Sequence, residues 1–377
     1  MQQTSQNTGF FLTIDCKTNK FNVYLMGNEM IVGSMLHSLF VSQGLQFFTA
    51  NTPYTVTHDN LTATITLSHH IAKTKRKTKP GYDYRIVAAQ LDCGGSATVS
   101  DFFRTKIRHN TEEAAILFFT AKHDKVLKIF IPSSTYGRDD VIRENMLFNL
   151  VHNNTENGTG RQEIIEFINS RNQISYCMIM PKFIGISLDK IIKNGAISSM
   201  RYIEKLNIAI NCLKQIKKVH DKGYAHCDVK LENFIYNVGD HQVRIVDFGS
   251  AVRCDINSSA IRFSVTTLYI TPHPSSPISN SGYLRDVYAV GVMLAIFFYE
   301  EHYCGYCEQF DITEFINEIR KKHPKFPEEI TNLLYRIVGS NPALPPLSLD
   351  ETIAAIDRVI CNIATTSPCV TFYKPKL

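Results

Sequence analysis

The sequence lacks an apolar stretch long enough to cross a membrane. Its longest uncharged apolar run, residues 287–299, falls short of the roughly 20 residues that a membrane-spanning helix needs. We interpret this run as a buried core helix. Residues 1–7 are polar and uncharged, unlike the charged and then apolar start of a signal peptide. We therefore expect no transmembrane segment and a cytoplasmic or nuclear location.

The sequence also lacks a regular cysteine spacing of the kind that binds zinc, although the chain of 377 residues contains ten cysteines. Cys304 and Cys307 form one C-x-x-C pair, but no second pair completes a zinc site. A chain of this length can bury enough apolar surface to fold without disulfides or metals. We therefore expect scattered, reduced thiols and assign no function to Cys304 and Cys307.

The sequence has little excess charge, since 40 Lys and Arg stand against 35 Asp and Glu. A balance this mild implies neither nucleic acid nor a membrane surface as a partner. The apolar fraction of 44% excludes a disordered chain. Two interpretations of the one basic run stay open: a solvated linker, or a contact for acidic lipid, nucleic acid or another partner. The run consists of Lys73, Lys75, Arg76, Lys77 and Lys79.

The first 80 residues carry no chemical motif, and we predict that they form a small α+β accessory region. Its predicted elements are a hairpin over residues 10–14 and 21–25, a helix over residues 32–40 and a strand over residues 61–67. The basic run and the Pro80-Gly81 turn mark its end.

Beyond residue 84 the pattern changes from strands to helices. Residues 203–219 repeat apolar side chains every three or four positions, which predicts an amphipathic helix. The predicted divisions are a β-rich part over residues 84–180, a helical part over residues 181–362 and a tail over residues 363–377.

Two short segments carry residues that metal-assisted phosphoryl transfer requires. The first is His226-Cys-Asp-Val-Lys-Leu-Glu-Asn233, and the second is Ile245-Val-Asp-Phe-Gly249. Together they supply two carboxylates, an ammonium group and an amide. A carboxylate can orient the attacking hydroxyl, oxygen ligands can hold Mg²⁺, and a cation can offset charge on the transferred group. Either segment alone could be a plain turn, but the pair at this spacing indicates function.

These segments resemble the catalytic and metal-binding loops of the protein kinase family. The resemblance extends over roughly residues 84–360 and implies a bilobal α+β fold, with a β-rich N-lobe, a helical C-lobe and an active cleft between them. It also implies ATP and Mg²⁺ as cofactors and protein Ser/Thr hydroxyls as acceptors. Asp228 is then the catalytic carboxylate. Lys230, typical of Ser/Thr kinases, steadies the γ-phosphate, and Asn233 and Asp247 are the metal ligands.

The resemblance also assigns a nucleotide-binding lysine and its partner. Lys128 lies on an apolar stretch as the ATP-binding lysine does, and Glu144 is the candidate partner on the next helix. Leu147, Phe148 and Val151 share a helical face with Glu144, which predicts that this face packs inward.

The phosphate-covering loop is the least regular match. Asp92 and Ala97 stand where the family has its first and third glycines. Small residues still allow backbone N–H groups to approach phosphate, but Asp92 would place negative charge near it. The residues assigned to this loop are Gly94, Gly95, Ser96 and Val99.

The segment after the apolar stretch at residues 175–179 resembles the hinge between kinase lobes. Met180 then stands at the gatekeeper position, and the Pro181 carbonyl and the Phe183 N–H would face adenine. Further on, Asp286 matches the start of the central C-lobe helix, which accounts for the apolar run at residues 287–299.

Two departures from the family pattern bear on regulation. Cys227 replaces the arginine that normally binds a phosphate on the activation loop, and a thiol cannot do so. We therefore predict activity without activation-loop phosphorylation. A packed thiol is our preferred interpretation of Cys227 over a redox switch. Thr271-Pro272-His273 replaces the closing Ala-Pro-Glu, and its usual arginine partner is missing as well, so no buried charge is left unpaired.

Three functions fit these patterns: an active Ser/Thr protein kinase, a pseudokinase that acts as a nucleotide-binding scaffold, and a small-molecule kinase of related fold. Lys230 and the segment over residues 266–272 argue against the third. The sequence has a candidate residue for each task of phosphoryl transfer, namely proton transfer, metal binding and neutralisation of phosphate charge. This favours the active Ser/Thr protein kinase. The divergent motifs suggest a bacterial or viral effector that acts in host cytoplasm or nucleus.

Overall fold

A computed structural model shows two compact units, Met1–Asn145 with Thr155–Lys182, and Met146–Asn154 with Phe183–Leu377. The first unit is rich in strands and the second is mainly helical, which confirms the predicted α+β class. The structure describes residues 8–15, 20–25, 38–40, 44–58, 61–75, 80, 82–93, 97–109, 116–120, 125–131, 137–152, 163–168, 173–254, 282–300, 312–322, 326–338 and 347–366.

The first unit is built from two sheets and the start of one helix, α1 (Arg138–His152). Its strands are β1 (Thr8–Asp15), β2 (Lys20–Leu25), β3 (Phe47–Phe48), β4 (Pro53–His58), β5 (Leu61–Leu67), β6 (Ile71–Lys75), β7 (Tyr82–Cys93), β8 (Ala97–His109), β9 (Ile116–Thr120), β10 (Lys125–Phe130), β11 (Glu163–Ile168) and β12 (Ile174–Pro181).

The smaller sheet has the order β2-β1-β5-β4. β1 and β2 form the predicted antiparallel hairpin, whereas β1 and β5 run parallel. The predicted strand over residues 61–67 is β5, in which the alternate residues Ala63, Ile65 and Leu67 are buried. Of the predicted helix over residues 32–40, only residues 38–40 are described, and they are helical.

The larger sheet has the order β11-β12-β10-β8-β7-β6-β3, and β9 pairs with the far half of β8. β6 pairs with β7, and β3 pairs with β6. The prediction that residues 1–80 form a separate accessory region is therefore wrong for β3 and β6, which belong to the larger sheet. The Pro80 turn lies in a connection between paired strands and does not mark a domain boundary.

The ends of the larger sheet approach each other. β3 and β11 stand at opposite ends of the strand order, yet the rings of Phe47 on β3 and Phe167 on β11 lie 4.4 Å apart. The sheet therefore curls around an apolar core to which residues from both parts of the chain contribute. The buried members of this core are Phe47, Ala72, Val87, Leu127, Ile165, Phe167, Cys177 and Ile179.

The basic run is only partly a surface feature. Lys73 lies on β6, between two neighbouring strands, and is 4% exposed. With so little exposure, its ammonium group contributes little to a surface patch. Lys75 ends β6, and Arg76, Lys77 and Lys79 lie outside the described residues. A lipid or partner contact through these four residues stays a prediction.

The second unit packs helices around a small three-stranded sheet of order β13-β15-β16. The predicted helix over residues 203–219 is confirmed as α3. The described elements are β13 (Ile186–Ser187), α2 (Leu188–Lys193), α3 (Tyr202–His220), β14 (Tyr224–Ala225), β15 (Phe234–Asn237), β16 (Gln242–Ile245), β17 (Val252–Arg253), α4 (Gly282–Tyr299), α5 (Ile312–Lys322), α6 (Glu328–Ile337) and α7 (Leu349–Thr366).

The apolar run at residues 287–299 lies on α4. By length and composition alone α4 could cross a membrane, but 72% of it is buried inside the protein. Within the second unit it contacts α3, α5 and α6. A side chain on Gly291 would collide with Ile337 and Val338, so glycine here lets α4 approach α6 closely. These contacts support the interpretation of the run as a core helix.

Candidate active site

The first unit contains the predicted nucleotide-binding pair. The Lys128 ammonium group on β10 lies 2.6 Å from the Glu144 carboxylate on α1. Both residues are buried, at 4% and 2% exposure. A buried charge is stable only with a partner at this distance, so the pair fixes the position of both side chains. Leu147 and Phe148 on α1 are buried too, as the helical spacing predicted.

The loop assigned to phosphate lies between the paired strands β7 and β8. Gly94, Gly95 and Ser96 lie outside the described residues. Val99 is described, and it stands opposite Lys128 in the register of β8 with β10. Asp92 stands opposite Val99 on the other side, in β7. Val99 and Lys128, the predicted nucleotide-binding lysine, therefore lie directly opposite each other on neighbouring strands.

Two of the predicted hinge residues lie on β12, the strand that pairs with β10. Met180 is buried on β12, opposite Val126, and Pro181 ends that strand. The first unit ends at Lys182 and the second continues at Phe183, within the predicted hinge. In the second unit the Phe183 ring stacks on Phe148, at 5.6 Å between centroids.

The second unit brings the predicted catalytic residues into direct contact. The Lys230 ammonium group lies 2.8 Å from Oδ2 of Asp228. The Asn233 side chain donates from Nδ2 to the Asp228 carbonyl at 2.8 Å and to Oδ2 at 3.2 Å. This arrangement fixes the rotamer of Asp228, since a cation and an amide hold the same carboxylate oxygen.

Asp247 lies beside this loop. The N–H of Val246, the residue before it, donates to the Asn233 carbonyl at 2.9 Å. Asp247 has a φ of 64° and Cys227 has a φ of 60°, which are rare for residues other than glycine. Such backbone strain persists only where the surrounding structure enforces it, and it concentrates at functional sites.

A buried carboxylate from α4 anchors the catalytic loop. Asp286 is 1% exposed and accepts from the His226 N–H at 2.7 Å and from the Cys227 N–H at 2.8 Å. The His220 ring lies 2.9 Å from the same carboxylate. The sequence placed Asp286 at the start of this helix but gave no sign of these partners, because they are distant in the chain.

The His226 side chain holds the loop to the strand that precedes Asp247. Its Nε2 lies 3.1 Å from the Val246 carbonyl, and its Nδ1 lies 3.3 Å from the Asp228 N–H. A carbonyl only accepts and an N–H only donates, so the proton of a neutral ring is on Nε2. The ring also packs against Phe248, at 5.3 Å between centroids.

The Cys227 thiol is packed. Its Sγ lies 3.8 Å from where a side-chain carbon on Gly282 would be placed. Burial, and next the negative charge of Asp286, raise the pKa of the Cys227 thiol. A thiol held in its protonated form is a poor nucleophile, which favours the packed thiol over a redox switch.

The oxygen donors present suit Mg²⁺. Because Nδ2 of Asn233 is held by Asp228, its Oδ1 is the atom left for a metal, and Asp247 adds a carboxylate. Within the described part of the chain, no three His, Cys, Asp or Glu residues converge on a metal position. Mg²⁺ needs no such cage, since it commonly takes one or two protein ligands and completes its shell with phosphate and water.

Comparisons with known proteins agree with this site. The family model described as "Protein kinase domain" matches residues 99–344. The chain is 40% identical to mitogen-activated protein kinase kinase kinase 20 of Arabidopsis thaliana over 83 residues, 21% of this chain and 24% of the relative. It is 29% identical to the serine/threonine-protein kinase MPS1 of Encephalitozoon cuniculi over 182 residues, 45% of this chain and 30% of the relative.

A third relative is a serine/threonine-protein kinase 1 of African swine fever virus, 26% identical over 109 residues, 29% of this chain and 36% of the relative. The matches thus span about a quarter to a third of the length of these relatives. The family model covers more than half of this chain and includes every described catalytic residue. The chain therefore belongs to the protein kinase family.

Proposed function

We propose that the protein is an ATP- and Mg²⁺-dependent kinase that phosphorylates Ser and Thr hydroxyls of proteins. The observation that carries the proposal is the contact among Asp228, Lys230 and Asn233 in the second unit. The buried pair of Lys128 and Glu144 in the first unit supports it, because a lysine is rarely buried unless a carboxylate compensates its charge.

Each residue has a distinct task in this proposal. Asp228 orients the acceptor hydroxyl and takes its proton, and Lys230 offsets negative charge on the transferred group. Asn233 and Asp247 would hold Mg²⁺, and Lys128 would bind the nucleotide phosphates. When bound, ATP supplies the phosphoryl group and Mg²⁺ neutralises charge that develops during transfer.

The acceptor class is tested by phosphoamino-acid analysis. The purified chain is incubated with γ-labelled ATP, Mg²⁺ and a mixture of protein substrates, and the label is assigned to residue types. We expect phosphoserine and phosphothreonine. Label confined to phosphotyrosine or to small molecules would contradict the proposed acceptor class.

We also propose that activity does not need phosphorylation of the activation segment. Cys227 occupies the position of the phosphate-binding arginine and is packed, so it offers no cation. Replacing Ser250, Ser258, Ser259 and Ser264 together by Ala should leave turnover within about twofold of wild type, because no phosphate on this segment would have a cation at Cys227 to bind. A folded variant without turnover would contradict this proposal.

A scaffolding pseudokinase is the second candidate. It is favoured by Asp92, which stands on β7 opposite Val99, where it would put negative charge near a bound nucleotide. Turnover of the Asp92→Gly variant distinguishes the two candidates. The variant should bind ATP more tightly in either case, but only an active kinase should transfer phosphate, whereas a pseudokinase should bind ATP without turnover.

A further inference from the structure

His152, the last residue of α1, makes a contact that the site described above does not use. Its Nε2 lies 2.8 Å from the Ile245 carbonyl, which belongs to the last residue of β16. Ile245 precedes Asp247, the proposed metal ligand, by two residues. Both His152 and Ile245 belong to the second unit, so this contact lies within it.

The ring of His152 is enclosed by aromatic side chains from three elements of the second unit. It lies 4.6 Å from Phe148 on α1 and 4.9 Å from Phe183, the first residue of this unit after the hinge. It also lies 6.0 Å from Phe248, the residue after Asp247. The ring therefore contacts residues on both sides of Asp247, through Ile245 and Phe248.

The protonation state of His152 makes it a donor. Burial lowers its pKa to about 4, and the cations Arg244 on β16 and Lys218 on α3 also lower it, while the bond to Ile245 raises it. The ring is therefore neutral near pH 7. Since the Ile245 carbonyl can only accept, the single ring proton is on Nε2 and His152 donates.

Two further hydrogen bonds hold the neighbouring backbone. The Val246 carbonyl accepts from the His226 ring at 3.1 Å, and the Val246 N–H donates to the Asn233 carbonyl at 2.9 Å. Both of these partners belong to the catalytic loop. His152 supplies the third bond from a different element, so the segment before Asp247 is held between the loop and the end of α1.

We propose that His152 is a positioning residue for Asp247: it fixes the backbone before the metal ligand by donating to Ile245 and by packing on Phe248. The inference rests on the proposed kinase function, because it assigns His152 to the Mg²⁺ site of that reaction. A role in folding alone would lower stability without changing the response to Mg²⁺.

The test distinguishes the effect of the hydrogen-bond donor of His152 from the effect of its aromatic ring. His152→Phe keeps an aromatic ring and removes the donor, whereas His152→Gln keeps an amide N–H near the position of Nε2. His241→Phe is the matched control, since His241 is exposed at the β15–β16 turn and its Nδ1 contacts the Tyr236 hydroxyl within the same hairpin. Turnover is measured at saturating ATP against Mg²⁺ concentration, together with thermal unfolding of each variant.

We expect His152→Phe to raise the half-saturating Mg²⁺ concentration about three- to tenfold, the range of one lost hydrogen bond. His152→Gln should stay within about twofold of wild type, as the donor is kept, and His241→Phe should match wild type. An unchanged Mg²⁺ response in His152→Phe, or equal impairment by Gln and Phe, would overturn the proposal.

A second measurement keeps this inference separable from the proposed function. Stabilisation of the folded chain by ATP is recorded against Mg²⁺ concentration, without any turnover. If wild type binds Mg²⁺-ATP but does not transfer phosphate, the kinase proposal fails, and the shift of this curve in His152→Phe still decides the role of His152. If wild type shows no Mg²⁺-dependent binding of ATP, both proposals fail.

Discussion

Lys128 and Glu144 show how strongly a single pair can constrain this molecule. Both charges are withdrawn from water, so each depends on the other. The sequence predicted this pair because the lysine and the glutamate fall in register with kinase motifs. It did not predict the anchors Asp286, His220 and His152, because a hydrogen bond between residues far apart in the chain leaves no local pattern.

Removing one member of the buried pair should cost more than removing both. Lys128→Met removes the cation that lies 2.6 Å from the buried Glu144 carboxylate and should lower the free energy of unfolding by about 3–5 kcal/mol. The double variant Lys128→Met/Glu144→Leu should recover most of this stability but remain inactive. Urea unfolding and turnover measure the two effects.

Arg201→Met is the control for this comparison. Its partner Glu204 forms an exposed pair one helical turn away, and such pairs contribute little to stability. Equal losses for Lys128→Met and Arg201→Met would contradict the account of the buried pair.

The His152 ring should make stability depend on acid. Its folded pKa of about 4 lies below the ordinary value of 6.5, so between these values the unfolded chain binds a proton that the folded chain does not. The contribution of His152 to the free energy of unfolding is complete above about pH 6.5. It falls as the pH drops towards about 4 and changes no further below that.

The measurement is the urea midpoint of unfolding against pH. Wild type should lose about 3 kcal/mol of unfolding free energy as the pH falls across this window. His152→Gln should lack that component, because Gln does not titrate. Parallel pH curves for the two proteins would contradict the assignment to His152.

Strands show where local patterns suffice and where they do not. Alternation predicted β5 and the β1–β2 hairpin, and helical periodicity predicted α3 to within a residue at each end. The pairing of β3 and β6 with the sheet that carries Lys128 was missed, because strand partners are chosen by long-range packing. The same omission made Lys73 look solvated, although it is 4% exposed on a strand with neighbours on both sides.

Deleting residues 1–80 should therefore damage the first unit. The deletion removes β3 and β6, and with them Phe47 and Ala72 from the core that contains Leu127, the neighbour of Lys128. Thermal unfolding and ATP binding should both be impaired. A truncated chain as stable as wild type, with unchanged ATP affinity, would show that the region is an independent module.

A point variant checks the same claim without truncation. Phe47→Ala opens a cavity in the shared core and should cost about 3–5 kcal/mol. Thr57→Ala, at an exposed position of β4, is the control and should change the free energy of unfolding by no more than about 0.5 kcal/mol.

At the scale of the whole molecule, each compact unit holds its own group of residues assigned to phosphoryl transfer. The strand-rich unit contains the proposed nucleotide-binding pair, Lys128 and Glu144, and the helical unit contains the proposed catalytic and metal-binding residues. The sequence predicted which of these residues lie together within each unit, because the family pattern places fixed residue types at fixed spacings. It predicted the N-terminal part poorly, since those strands carry no chemistry and only their packing reveals their place.

The measurement that tests the central claim most directly is γ-phosphate transfer from ATP with Mg²⁺, compared between wild type and Asp228→Asn. The substitution keeps the size of the side chain and removes the carboxylate that orients the hydroxyl. We predict that the variant stays folded and loses at least about a hundredfold in turnover, the scale of general-base catalysis. A wild type no faster than Asp228→Asn would contradict the claim that this protein is an active kinase.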